Sequence, residues 1–424
     1  MPEQEPETNK EIWFFTSELE GERASSFRQD RWCRIFMEAG AKIVVFNVQG
    51  AFHLNEIHCR NEDEFAAFRS ESLAKTKPMA SVREGIAVRF LRRIKHLLLI
   101  DLYLPNIFKL VFRAHTLLKS RNEPVVIMAS SPPFSVAVAA YILKILHGDK
   151  INLAVDMRDA WALHNALGGI RPIKRWIERA VLRRSNHVTT VSYGLAREFE
   201  QAYGVPVGVM YNVATHYLDV PAAPRIDLKE ISPEIASERI KFVYTGSTPE
   251  GHYDLNSIVG AIALLRMQQP EIADKLQLVF VGACDEVRRE AEKQNITHGD
   301  IVFTGHVAHA TARSIQATAD VLLFLAHFGP DNMGVVSTKL FEYLCLGQSV
   351  LPLSLHHGSD VDHLLRRYAG KSINVHSAAE IASMLKSVVL EGTSTLPRLA
   401  EVHRVKELLD DYRAFARRLL AEKG

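Results

Sequence analysis

The chain has 424 residues, beyond the ~250–300 at which a single hydrophobic core stops growing, so two domains are expected. A formal net charge of +2 gives no general attraction to nucleic acid, and the four cysteines, Cys33, Cys59, Cys284 and Cys345, lack the C-x-x-C spacing of a zinc site or the density of a disulfide framework, which fits a reduced cytoplasm. The opening MPEQEPETNKE has neither a basic nor an apolar signal region, and no apolar run reaches the ~20 residues that span a bilayer, which predicts a soluble or at most peripheral protein.

Residues 12–15 read as a strand, and the polar run TSELEGERASSFRQDRW reads as a loop leading into a helix that carries Trp32, Ile35, Phe36 and Ala39. Gly40 ends that helix before a second strand at residues 43–46, so the chain opens as βαβ. The loop holds Arg23, Ser25, Ser26 and Arg28; by composition alone it is a solvated connection. Over residues 81–121, Arg89, Arg92, Arg93 and Lys95 alternate with Val88, Phe90, Leu91 and Ile94. That is the pattern of a helix that lies on an anionic membrane, or that covers a sheet with its basic side in water. A basic helix over residues 173–184 repeats it, with Ile173, Trp176, Ile177, Ala180 and Val181 on one side and Lys174, Arg175, Arg179, Arg183 and Arg184 around them.

Residues 125–129 form a strand of the buried type, residues 135–147 an apolar helix, and residues 153–155 a strand that runs into DMRDAW. Asp156, Arg158, Asp159 and Trp161 therefore stand at a strand's carboxyl end, where α/β sheets collect ligands. Arg158 and Asp159 equally suit a structural ion pair. A strand at 187–191, a helix at 193–203 and a strand at 207–211 follow, and the Pro-, Ala- and charge-rich residues 214–239 mark a boundary. The expected division is a first domain over 1–215, a linker over 216–239, a second domain over 240–395 and a C-terminal helix within 396–424.

Residues 240–244 open the second domain, and Gly246, between Thr245 and Ser247, lets the backbone approach a ligand as a phosphate-binding turn requires; a plain tight turn has the same sequence. Residues 276–281 with Gly282 and 301–303 with Gly305 are further strand-and-turn pairs. His306 and His309 read as solvent-facing, and no metal site is expected. The organising stretch is residues 320–353, with strands at 321–325 and 350–353. Between them lies a helix capped by Ser337 or Thr338, facing inward through Leu340, Phe341 and Leu344 and stopped by Gly347. Lys339 and Glu342, three apart, share its other side. A helix N-terminus alone offers an anion ~0.3–1 kcal/mol. Lys339 is therefore the cation expected to hold a diphosphate, and Glu342, one turn deeper, suits paired ribose hydroxyls; the two also fit an ordinary surface ion pair. Residues 372–375, a helix at 378–390 and a long charged helix over 397–420 complete the chain.

The run STKLFEYLCLGQSVL resembles the donor-site signature of GT-B glycosyltransferases, in particular the retaining GT4-type enzymes, whose pattern is roughly S-x-K-x-x-E-x-x-A-x-G-x-P-V. The resemblance extends over residues 12–390: YTGS resembles the diphosphate-facing turn, LVFVG and IVFTG the segments whose loops enclose the base, DMRDAW a motif of bacterial polysaccharide glycosyltransferases, and residues 22–28 the acceptor-side loop. It implies an α/β fold of the GT-B type, two Rossmann-like domains facing across a cleft, with the last helix crossing back to the N-terminal domain. It implies a retaining, metal-independent transfer of sugar from a UDP- or GDP-sugar to a glycan or lipid-linked acceptor in surface polysaccharide synthesis, with no cofactor besides the donor. Donor binding then falls on Gly246, Ser247, His252, Gly282, Val307, Lys339 and Glu342, the catalytic roles on Arg158, Asp159 and Lys339, and acceptor binding on Arg23, Ser25 and Ser26. The sequence departs from the family pattern where Gly334 stands in place of a usual second Glu, where PEGHYD after YTGS supplies only His252 in place of an Arg and a Lys, and where Val213 follows Asn212 in place of a Gly. These departures keep open a noncatalytic glycosyltransferase-like subunit, and a GT-B nucleotide-sugar epimerase is a third reading.

Overall fold

The computed structural model describes residues 10–17, 19, 24–49, 53–75, 104–164, 170–213, 223–296, 299–327, 334–398 and 406–422. Arg23 and the basic stretch around Arg89, Arg92, Arg93 and Lys95 lie outside the described residues. The chain divides into two units, Met1–Val213 with Leu408–Gly424, and Ala214–Glu407.

The first unit runs β1 (Glu11–Ser17), α1 (Ala24–Glu38), β2 (Lys42–Gln49), β3 (His53–Cys59), α2 (Glu62–Lys75), α3 (Leu104–Lys119), β4 (Val125–Ser131), α4 (Phe134–His147), β5 (Ile151–Met157), α5 (Arg171–Arg184), β6 (His187–Thr190), α6 (Tyr193–Tyr203) and β7 (Gly208–Val209). Its seven strands lie in the order β3-β2-β1-β4-β5-β6-β7, parallel except where β3 pairs antiparallel with β2. Strands β4 and β5 are buried at every residue because helices cover both faces, which is why they read as unbroken apolar runs. On one face Leu110, Leu143 and Val181, from α3, α4 and α5, pack on Phe15, Ile127 and Val155. On the other, Trp32 and Phe36 of α1 pack on Phe14 and Val45.

The second unit runs β8 (Ile240–Thr245), α7 (Leu255–Gln268), α8 (Pro270–Ala273), β9 (Leu276–Val281), α9 (Asp285–Lys293), β10 (Ile301–Gly305), α10 (His309–Thr318), β11 (Val321–Leu325), α11 (Thr338–Leu346), β12 (Val350–Leu353), α12 (Asp360–Ala369) and α13 (Ala378–Glu391). Its five strands are parallel, in the order β10-β9-β8-β11-β12. The last helix, α14 (Glu407–Ala421), packs in the first unit, where Tyr412, Phe415 and Leu419 join the cluster around Trp32.

Several local readings of the sequence are corrected. The helix α1 starts at Ala24, so Ser25 and Ser26 lie in its first turn and not in a loop; the polar residues Arg28, Gln29 and Arg31 that look like loop are buried. The described part of residues 214–239 is fastened to the second unit: Ile226 N–H donates to Thr318 Oγ1 at 3.0 Å, and Gln277 bonds both Glu234 O and Ala236 N–H. The described part of the C-terminal helix runs Glu407–Ala421, and residues 397 and 398 lie outside it.

Candidate functional site

From β8 the second sheet grows through β9 and β10 to one side and then through β11 and β12 to the other, so the strand order reverses between β8 and β11. Open α/β sheets hold ligands outside the carboxyl ends of the strands at such a point. Gly246, Gly282 and Gly305 stand at the carboxyl ends of β8, β9 and β10, and backbone bonds lace them together. Gly246 N–H donates to Val281 O at 2.7 Å, and Gly282 N–H donates to Gly305 O at 2.8 Å. Gly246 has φ 135° and Gly282 φ 115°. A Cβ on Gly282 would collide with the Gly246 carbonyl, and one on Gly246 would fall on the Lys339 ammonium. Glycine is what lets Lys339 lie across the turn.

Helix α11 places that lysine. Ser337 caps it by accepting from Lys339 N–H at 3.4 Å, and Gly347 ends it at φ 64° in the left-handed region. Lys339 Nζ donates to Tyr244 Oη at 2.9 Å and sits 4.6 Å from the ring centroid, and Tyr244 Oη donates to Ser247 O at 2.8 Å. An ammonium, a phenol and a carbonyl in series thus pin the turn. Burial lowers the Lys339 pKa, against the raising pull of Glu342 and Cys284. Since the Gly246 amide is already used, Gly246 provides close approach and not a donor. Ser247 is exposed, and its amide and hydroxyl donate to nothing among the described residues.

Glu342 Oε2 accepts from Gln316 Nε2 at 3.4 Å, and the same amide donates to Thr245 Oγ1 at 2.7 Å. Gln316 Oε1 is buried with no hydrogen-bond partner among the described residues. Leaving such an acceptor unmet costs ~1–3 kcal/mol, a cost that a donor on a bound molecule removes. These groups line a cavity of about 410 Å³, within the ~300–1,000 Å³ of small-molecule sites. It gathers Gly246, Ser247, Gly282, Val307, Lys339 and Glu342. His306 and His309, both exposed, stand on its wall. A larger cavity of about 840 Å³ lies in the first unit beside Glu11, Lys42 and Val125, at the amino ends of β1, β2 and β4, the wrong end of the strands for this kind of site.

His252 does not line the 410 Å³ cavity. Its ring lies 5.7 Å from that of His327, which follows β11, and burial, His252 and Lys339 together lower the His327 pKa. In the first unit, Arg158 N–H donates to Ser131 O at 2.9 Å and its guanidinium donates to the carbonyls of Ser131 and Pro132. Asp159 is exposed and has no partner among the described residues. Trp161 is core, stacked on Phe134 at 4.2 Å. Asp156 is buried and receives Arg28 through two bonds, at 2.9 and 2.6 Å, and also Ser130, Thr189 and Trp32. Burial alone would raise its pKa; the charge and hydrogen bonds of Arg28 lower it instead. Among the described residues no group of three His, Cys, Asp or Glu is placed to hold a metal ion.

Residues 60–211 match the model of the glycosyl transferase 4-like domain. The chain carries a GT4-like glycosyltransferase domain. Solved structures give the fold of the whole. Sucrose-phosphate synthase from Thermosynechococcus elongatus is 11% identical, with 97% of this chain and 95% of that one covered and a TM-score of 0.55. The E. coli trehalose-6-phosphate protein bound with UDP-2-fluoro glucose is 12% identical, covering 97% and 99%, at 0.60. S. aureus MnaA with UDP is 10% identical, covering 98% and 99%, at 0.51. No curated protein matches the chain. The fold is GT-B, with a Rossmann-like sheet in each unit. The matched GT4-like stretch ends at residue 211, so the cavity of the second unit rests on its own geometry.

Three residues of this GT-B second unit were not singled out from sequence. Arg313 and Gln316 lie three apart on α10 and line the cavity, and His327 joins His252. The first two carried a signal: polar residues at helical spacing on the helix after a glycine turn already marked as ligand-facing. His327 carried none, because its pairing with His252 is made by the adjacency of β8 and β11.

Proposed function

We propose that the protein transfers a sugar from a UDP- or GDP-sugar to a glycan or lipid-linked acceptor in surface polysaccharide synthesis, with retention and without a metal. The observation that carries this reading is the glycine turn at Gly246 with Lys339 laid across it, lining a cavity that Glu342 also lines. Glu342 accepts the ribose hydroxyls. Ser247 and Lys339 take the diphosphate, with Gly282 and Val307 toward the base. Breaking the donor's glycosidic bond leaves charge on the diphosphate, so electrostatic stabilisation by the half-buried Lys339 is the largest contribution. Arg313, a second cation on the cavity wall, supplies charge that PEGHYD lacks. Arg158 and Asp159 are assigned to orienting hydroxyls, and Arg23, Ser25 and Ser26 to the acceptor.

The test is a thermal-shift panel of UDP, GDP and their sugars with wild type and Glu342→Ala. A ligand at a hundred times its Kd stabilises by ~2.7 kcal/mol, a shift of several degrees. One nucleotide should stabilise the wild type and much less the variant. If none does, the protein is not an active transferase and the noncatalytic reading replaces this one; consumption of a UDP-sugar with no acceptor present would favour the epimerase.

A further inference from the structure

Helices α3, α4 and α5 pack side by side over one face of the seven-stranded sheet. Of the ten large apolar side chains exposed among the described residues, seven stand on this layer: Phe108 and Phe112 on α3, Ile145 and Leu146 on α4, and Ile170, Ile173 and Trp176 at α5. Three of them, Phe108, Phe112 and Trp176, are 77, 74 and 71% exposed, so they cover nothing of the core. Phe108 and Phe112, four apart, form one ridge.

The charge of the same layer has one sign. Neither α3 nor α4 contains Asp or Glu, and the single carboxylate of α5, Glu178, is buried, where it accepts from Ala162 N–H and the Tyr203 hydroxyl. Lys109, Lys119, Arg175, Arg179 and Arg184 are exposed around the apolar residues. Arg113 is paired with Glu56 at 2.6 Å, the one carboxylate that reaches this layer from β3.

We propose that this face of the first unit docks on an anionic membrane, with Phe108, Phe112 and Trp176 entering the boundary between headgroups and acyl chains and the basic side chains meeting lipid phosphates. Nucleic acid would use the basic residues and leave the aromatic ridge in water. A second copy of the same face would set like charges against each other. No helix among the described residues is long and apolar enough to cross a membrane, so the protein would lie on the surface. Donor binding belongs to the second unit, so this inference and the transferase reading fail independently.

The experiment uses the full chain with vesicles of phosphatidylcholine alone or mixed with phosphatidylglycerol, followed by sedimentation and tryptophan emission. Of the four tryptophans, Trp13, Trp32 and Trp161 are buried and Trp176 is exposed, so emission reports on the proposed face. Binding to the anionic vesicles alone is expected, with a blue shift and a fall of about tenfold or more as salt is raised. The double variants Phe108→Ser/Phe112→Ser and Arg175→Ser/Arg179→Ser should each weaken binding about tenfold or more, with unchanged circular dichroism and an unchanged nucleotide shift. No binding, equal binding to neutral vesicles, or variants that bind like wild type would overturn the proposal. So would concentration-dependent dimerisation abolished by the phenylalanine variant, which would give the face to a second copy.

Discussion

At the scale of single residues, the most consequential group outside the cavity is Asp156. It sits in the motif that reads as a ligand site, yet Arg28, Ser130, Thr189 and Trp32 all donate to it, and both it and Arg28 are fully buried. Arg28 also donates to Met210 O at 2.7 Å and to the Tyr412 hydroxyl, so one guanidinium joins α1, β5, the end of the sheet and α14. Removing one partner of such a pair leaves an uncompensated buried charge, which costs ~3–5 kcal/mol. Asp156→Asn should therefore lower the stability of the first unit by about that amount near neutral pH. The pH dependence has a definite sign. The folded-state pKa of Asp156 is depressed, so its contribution is fully present above the ordinary aspartate value of ~3.9 and is lost as pH falls through the folded value. Denaturant melts at neutral and acid pH should show the gap between wild type and Asp156→Asn closing in acid. A gap that persists there would mean that the carboxylate charge is not what holds Arg28.

At the scale of elements, helix α11 couples stability to the cavity. Its N-cap Ser337 meets the amide of Lys339, and the same first turn aims Lys339 at Tyr244. Ser337→Ala should cost ~0.5–2 kcal/mol of stability. Because the cap and the cation share one turn, nucleotide stabilisation in the thermal-shift panel should shrink as well; a stability loss with an undiminished nucleotide shift would separate the two roles. The helix was legible in the sequence through its Ser, its inward Leu340, Phe341 and Leu344, and its terminal Gly347. So were strands β9, β11 and β12, whose apolar runs at 276–281, 321–325 and 350–353 needed no tertiary information. Edge strand β3, HLNEIHC, was not legible, because a strand paired on one side tolerates polar residues. Nor was the start of α1, since Arg28 is buried by a partner 128 residues away. The cavity divides the same way. Gly246, Gly282, Lys339 and Glu342 announce themselves by spacing and turn chemistry, whereas the clasp from Lys339 through Tyr244 to Ser247 exists because the end of β8 lies beside α11.

At the scale of the whole molecule, the chain completes its first unit last. Residues 408–424 return to it after the entire second unit has been threaded. Tyr412 is fully buried with its ring 4.5 Å from that of Trp32, and its hydroxyl donates to Tyr211 O at 2.8 Å. Phe415, Leu419 and Leu420 are buried beside it, and His187 meets Glu422 at 2.7 Å. Burying four such side chains contributes ~6–12 kcal/mol at ~1.5–3 each, comparable with the ~5–15 kcal/mol that stabilises a whole domain. Truncation after Lys406 should therefore unfold the first unit. The second unit keeps its five strands, its own hydrophobic cluster and every residue of the 410 Å³ cavity, so it should still melt cooperatively. Calorimetry with and without the stabilising nucleotide checks this: the truncated chain should lose one transition, and the survivor should still rise with nucleotide. Both transitions intact would show that α14 is dispensable for the Trp32 cluster. Loss of both would show that the second unit cannot fold without the first, so that a cavity lined wholly by residues of one unit still depends on the other for its existence.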